Sequence, residues 1–307
     1  MSFPHIRPFR FGVQCSRAAT RTEWIGLAKR AEANGFDCLT MPDHFTDQLA
    51  PIPALQAAAD ATTHLRIGAL VWDNDYKHPV VLAKELATLD LLSEGRLELG
   101  IGAGWMISDY EQAGMPYDPA GVRIDRFLEG LHIIRRSFEA GTFSHSGTHY
   151  TITDYEGFPK PAQAKVPVLI GGGGKRVLGI AAREADIVGI NATLHAGRIG
   201  PEAIATMTAA AVDEKVDIVK AAAGDRIAAV DEHDAVAELL GLVHHVRAED
   251  DRPALRVQLA DEPVQEPRVH GVEPAERLVQ DHQLRVVDQG LGQADAALEH
   301  FLHLGHH

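Results

Sequence analysis

Two short stretches carry the residue types that chemistry would need. The first runs Val166-Pro-Val-Leu-Ile-Gly-Gly-Gly-Gly-Lys-Arg. Gly171, Gly172, Gly173 and Gly174 remove every Cβ where an apolar strand ends, so the backbone there is free to turn and to approach a ligand closely. Lys175 and Arg176 then open a helix whose unpaired N–H groups point back at the turn, an anion cradle with two cations beside it. The spacing matches neither GxGxxG nor GxxxxGK[ST], so no dinucleotide or NTP fold follows from it, and a plain glycine-rich turn is the competing reading. The second stretch is Pro42-Asp-His-Phe45, in which Asp43 and His44 supply a carboxylate and an imidazole for acid-base work or hydrogen bonding.

Both stretches follow strands. Phe9–Gln14 reads as a first strand, with Thr22 capping a helix that ends at Asn34-Gly35. Phe36–Met41 is a second strand, Leu55–Thr62 a short helix, Leu65–Trp72 a third strand, and Pro79 opens a helix to about Leu92. Arg96–Gly102 is a fourth strand, and a long helix from Val122 to Glu139 follows a proline-bearing loop. Residues 142–156 alternate around Ser146-Gly147 and read as an inserted β-hairpin. Strand and helix then resume with Val166–Ile170, the helix from Lys175, and a strand ending at Asn191. Apolar strands alternating with helices imply parallel strands covered on their faces, and a TIM-type (β/α)8 barrel is expected ahead of a doubly wound open sheet.

A barrel collects its ligand at the C-terminal ends of its strands. What stands there is Pro42-Asp43-His44-Phe45, Asp73-Asn74-Asp75, Gly102-Ala103-Gly104-Trp105, the four glycines, and Asn191. Two glycine turns on adjacent strands leave room for a flat group with a phosphate tail.

Composition sets outer bounds. The net charge of −14 gives no basic surface for nucleic acid or an anionic membrane, and no run reaches the ~18 apolar residues of a bilayer span. A cytoplasmic protein is expected, with no metal site. Cys15 and Cys38 both fall in strand-like segments and read as reduced core thiols.

The ordered set Met41-Pro-Asp-His-Phe45, Ile67-Gly-Ala-Leu-Val-Trp72 with His78-Pro79, Leu91-Leu-Ser-Glu-Gly-Arg-Leu-Glu-Leu-Gly-Ile-Gly-Ala-Gly-Trp105 and Leu169-Ile-Gly-Gly-Gly-Gly174 resembles the bacterial luciferase-like monooxygenases, and among them the branch using the deazaflavin F420. The resemblance covers residues 8 to 225. It implies a flavin or deazaflavin across the barrel mouth, F420 first and FMN as the alternative. It also implies a strand-three bulge with a non-prolyl cis peptide at Leu70-Val71, and Gly102, Ala103 and Gly104 against the cofactor chain. By the same resemblance Gly171 to Gly174 with Lys175 and Arg176 hold the phosphate tail, and His44 stands near the reactive ring carbon. Some sugar-phosphate dehydrogenases of that branch carry a glutamate where this chain has Trp105. An indole is no useful acid, so Trp105, with Phe45 and Trp72, is expected to wall a pocket for a hydrophobic organic substrate accepting a hydride. Pairing into a homodimer is a further expectation.

From Arg226 the chain departs from the pattern. It has no Lys, Tyr or Trp there and holds nine of the seventeen histidines. The expected last two barrel units are not visible in it, and a composition break of this kind is what a shifted reading frame would produce. A degenerate barrel that binds cofactor without turnover is the competing class of function. A metal-dependent hydrolase ranks third, because paired His/Asp ligands are missing at the strand ends.

Overall fold

A computed structural model describes residues 10–194 and 197–224. The order of elements is β1 (Gly12–Gln14), α1 (Arg21–Ala33), β2 (Cys38–Met41), α2 (Pro51–Ala61), β3 (Arg66–Ala69), β4 (Trp72–Asp73), α3 (Pro79–Leu92), β5 (Leu97–Gly102), α4 (Ile107–Ala113) and α5 (Ala120–Phe138). There follow β6 (Phe143–Ser146), β7 (Thr151–Tyr155), β8 (Val168–Gly172), α6 (Lys175–Glu184), β9 (Ile187–Ile190), α7 (Pro201–Ala205) and α8 (Ala209–Ala223). The strands β1-β2-β3-β5-β8-β9 form one parallel sheet in that order, with β4 also pairing β5, and helices cover it. This is the curled parallel sheet of a (β/α)8 barrel, as the alternating apolar strands and helices required. The expectations about residues 226–307 lie outside the described residues.

Local chemistry sets the boundaries. Thr20, rather than Thr22, caps α1 by accepting from the Glu23 N–H at 3.2 Å. Gly35, at φ +78°, turns the chain out of α1 while the Phe36 N–H bonds back to Ala31, which delays the second strand to Cys38. Pro51 starts α2 four residues before the expected Leu55, since a proline costs nothing in a first turn. The hairpin forms as expected from β6 and β7, and is pinned to α5 by Glu129, whose carboxylate accepts from the Tyr150 N–H at 2.8 Å and the His149 N–H at 3.0 Å and pairs with His145 at 2.9 Å.

Two expectations needed correction. The third strand is not continuous: it stops at Ala69 and resumes at Trp72, with Leu70 and Val71 between. The loop after β5 contains a further helix, α4, closed by Gly114 in the left-handed region at φ +67°. Both differences fall at the C-terminal ends of the strands, where the site is built.

Candidate active site

The floor of the barrel mouth is made where the third strand breaks. The Leu70–Val71 peptide is cis, at the position the resemblance implied. The Leu70 carbonyl accepts from Gln14 Nε2 at 3.1 Å, tying the break to the end of β1. Val71 lies across the neighbouring strands: a Cβ on Gly102 would come within 2.8 Å of Val71 Cγ2, and those on Gly100 and Gly171 within 3.4 Å of Cγ1. The room left by Gly102 is therefore taken first by Val71, and a flat ligand would rest on that side chain. Gly104 is glycine for another reason. It sits at φ +73°, and a Cβ there would meet Tyr110 Oη at 2.0 Å and Asp73 Oδ2 at 2.5 Å.

At the rim stands His44, 10% exposed, with Nδ1 2.7 Å from Oδ2 of Asp109, itself 1% exposed. The Tyr76 hydroxyl donates to the same Oδ2 at 2.7 Å. Burial pushes the Asp109 carboxyl up, but hydrogen bonds from His44 and Tyr76 outweigh it and hold the group below the ordinary aspartate value. An ionised Asp109 favours the His44 tautomer that carries its proton on Nδ1. Trp105 sets its ring edge-on to His44, with centroids 5.5 Å apart, and Tyr117 fixes the Trp105 carbonyl at 3.0 Å. Phe45, 47% exposed, stacks on Tyr76 at 4.4 Å. Trp105 and Phe45 thus stand beside His44 and Tyr76. Trp72 does not join them: it is 1% exposed and packs into the hydrophobic core, because β4 pairs directly with β5 there.

Behind the rim lies a group of buried carboxyls. Asp43 Oδ2 accepts the Asp73 N–H at 3.2 Å, bracing the end of β2 against β4. Asp73 caps the following turn by accepting the Asp75 N–H at 2.8 Å, and the Tyr110 hydroxyl lies 3.1 Å from its Oδ2 and 3.0 Å from Asp75 Oδ2. Arg126 of α5 clamps Asp75 with two bonds of 2.7 and 2.8 Å and reaches Asp118 at 2.7 Å. Among the described residues no three His, Cys, Asp or Glu are placed to hold a metal ion, and Arg126 is the cation bonded to Asp75. Burial raises Asp43 to about 6 and Asp73 to about 7 from an ordinary 3.8.

A carboxyl with a raised native pKa binds more protons folded than unfolded, so it favours the fold at low pH and loses that advantage as pH rises through the native value. The contribution of Asp43 and Asp73 is therefore full below about pH 4 and gone above about pH 7. Asp73→Asn keeps the acceptor for Asp75 and removes a buried charge. It is expected to raise stability at pH 8 by on the order of 1–2 kcal/mol and to change it little at pH 4, as measured by urea unfolding at the two pH values.

The second half of the site is the N-terminus of α6. Gly174 caps it in extended backbone with no side-chain acceptor, and a Cβ on Gly174 would meet nothing within 4 Å. Space and unpaired N–H groups therefore coincide there. Gly173 is different: its Cβ would strike the Ala192 carbonyl oxygen at 2.2 Å, so glycine is needed to pass beside the end of β9. Thr193 Oγ1 donates to the Gly173 carbonyl at 3.0 Å and fixes the turn. Lys175 stays exposed on the first turn. Arg176, expected to face the turn, instead pairs with Asp125 and donates to the Gly121 carbonyl at 3.1 Å, both on α5.

The model of the luciferase-like monooxygenase family matches residues 1–301. The chain belongs to that family. Among curated luciferase-like relatives, an F420-dependent glucose-6-phosphate dehydrogenase of Amycolatopsis mediterranei is 31% identical over 173 residues, which are 53% of this chain and 51% of that protein. The enzyme of the same description from Microbacterium testaceum is 30% identical over 188 residues, 58% of this chain and 55% of its own. The chain thus spans about half the length of these curated relatives. Of solved structures, the F420-dependent tetrahydromethanopterin reductase of Methanopyrus kandleri superposes with a TM-score of 0.58 at 23% identity, covering 70% of this chain and 62% of the reductase. An F420-dependent secondary alcohol dehydrogenase does so with 0.60 at 19% identity, covering 78% and 68%. These two structures establish likeness of fold.

Within this luciferase-like barrel, sequence reasoning missed Asp109, Tyr76 and Tyr110. The signal available was the acidic-aromatic pair Asp109-Tyr110, five residues beyond Gly104 and closed by Gly114, in a stretch read as loop.

Proposed function

We propose that this chain transfers a hydride between F420 and a hydrophobic organic substrate at the mouth of the barrel. The observation that carries the reading is the His44–Asp109 pair at 2.7 Å, set at the rim beside Trp105 and above the Val71 floor. The residues present fit a phosphate-tailed planar cofactor. Val71, Gly102 and Ala103 offer a flat apolar support, and the uncapped, open end of α6 at Gly174 offers backbone donors to a phosphate, with Lys175 beside it. Bound there, the cofactor supplies a ring carbon that accepts or donates a hydride.

The chain's own residues do the rest. His44, held in one tautomer by Asp109, gives or takes the proton that accompanies hydride transfer through Nε2. Tyr76 keeps Asp109 ionised, and Asp43 braces the loop that carries His44. Trp105 and Phe45 exclude water from the reacting atoms and favour an apolar substrate. The two curated relatives named as F420-dependent support F420 ahead of FMN. Their named substrate is a sugar phosphate, whereas the indole beside His44 in this chain favours an apolar molecule.

The test is anaerobic mixing of the full chain with reduced F420 and a panel of ketones, imines and activated alkenes, followed by the return of the oxidised F420 absorbance. Oxidation of F420 matched to substrate reduction is expected. Turnover only with reduced FMN and oxygen would instead make the chain a flavin monooxygenase. Cofactor binding with no turnover of any substrate would make it a non-catalytic carrier.

A further inference from the structure

Lys215, in the middle of α8, is 5% exposed. Its ammonium donates to the carbonyls of Asn191 and Thr206, each at 2.7 Å, and lies 3.7 Å from Met207 Sδ. All of these acceptors are neutral. Among the described residues no carboxylate pairs with it, and burial lowers its proton affinity. Buried charge without a counter-charge is costly, and a glutamine could bridge the same two carbonyls without that cost.

The position of the charge gives it a use. Asn191 follows β9, and its carbonyl oxygen lies 2.4 Å from where a Cβ of Gly173 would be. The same segment continues to Thr193, whose N–H donates to Thr206 Oγ1 at 2.8 Å and whose hydroxyl donates to the Gly173 carbonyl. Lys215 is thus linked to the glycine turn through the Asn191 carbonyl, from the helix packed against α6.

We propose that Lys215 is the buried cation that makes the α6 turn selective for an anionic cofactor tail, its charge being balanced when a phosphate occupies the turn. The inference rests on the reading of that turn as the phosphate site. It makes Lys215 a positioning and charge-balancing residue that acts through the turn without touching the cofactor.

The test compares F420 with its own phosphate-free deazaflavin chromophore, by fluorescence titration of the full chain and of Lys215→Gln. The wild-type chain is expected to bind F420 at least about ten-fold more tightly than the chromophore. Lys215→Gln is expected to lose most of that preference, with chromophore affinity unchanged and the melting temperature of the ligand-free chain equal or higher. Lys215→Met, similar in length and uncharged, repeats the test if the glutamine variant does not fold. Equal weakening for both ligands would make Lys215 a structural strut and overturn the proposal, as would an undiminished preference for F420. A wild-type chain that binds the two ligands equally would sink the phosphate reading itself, and the role of Lys215 with it.

Discussion

His44→Ala is expected to lower kcat by about 10²- to 10⁴-fold, the span usual for losing a general acid-base group, with cofactor affinity changed only a few-fold. The imidazole is nearly enclosed and bonded through Nδ1 to a carboxylate that is itself buried, so orientation and tautomer are both fixed before substrate arrives. Removing it leaves Asp109 with Tyr76 as its remaining side-chain donor in this group and pushes that carboxyl back toward the neutral form. Asp109→Asn tests the same pair from the other side. It preserves the shape, favours the wrong tautomer, and is expected to lower kcat less than His44→Ala while shifting the pH profile. A collapse of cofactor affinity in His44→Ala with an intact single-turnover rate would show that the histidine binds and takes no part in proton transfer.

The second large effect is expected at Gly174. An aspartate at a helix N-cap in extended backbone accepts from the first-turn N–H groups and is as good a cap as any residue, better than glycine by a few tenths of a kcal/mol. The cap here is vacant of side-chain acceptors and has open space before it. Gly174→Asp is therefore expected to leave the fold intact or slightly firmer. It should also abolish binding of a phosphate-tailed cofactor, by more than about 10²-fold, because its carboxylate occupies the donors and repels the phosphate. Gly173→Asp would be a poorer probe, since its side chain would collide with the Ala192 carbonyl and confound binding with folding. Thermal melting and cofactor titration of Gly174→Asp separate the two effects. Unchanged affinity would remove the phosphate from this turn.

Much of this arrangement was legible in the sequence. The alternation of apolar strands with helices follows from burial of a parallel sheet on both faces, so β1, β2, β5, β8 and β9 could be placed within a few residues. The Leu70–Val71 cis bond was located by resemblance, not by any local propensity. What stayed hidden depends on contacts distant in sequence. Asp109 is 65 residues from His44, and nothing in either segment announces the pairing. Arg176 looked like a phosphate ligand because it follows the glycines, but α5 presents Asp125 and an open carbonyl to it. Trp72 looked like a pocket wall because it ends an apolar strand, yet pairing of β4 with β5 draws it into the core. The glycines misled in a finer way: Gly102 makes room for Val71, Gly172 for Val177, Gly104 for Tyr110 and Gly173 for the end of β9, whereas Gly174 faces open space.

The central claim is that the barrel mouth and the α6 turn together hold one phosphate-tailed deazaflavin. Equilibrium titration of the full chain with F420, run side by side with Gly174→Asp, tests it most directly. The account predicts saturation at one F420 per chain, displacement by FMN, and no saturation in the variant. Failure of the full chain to bind F420 or FMN, or equal binding by Gly174→Asp, would contradict it.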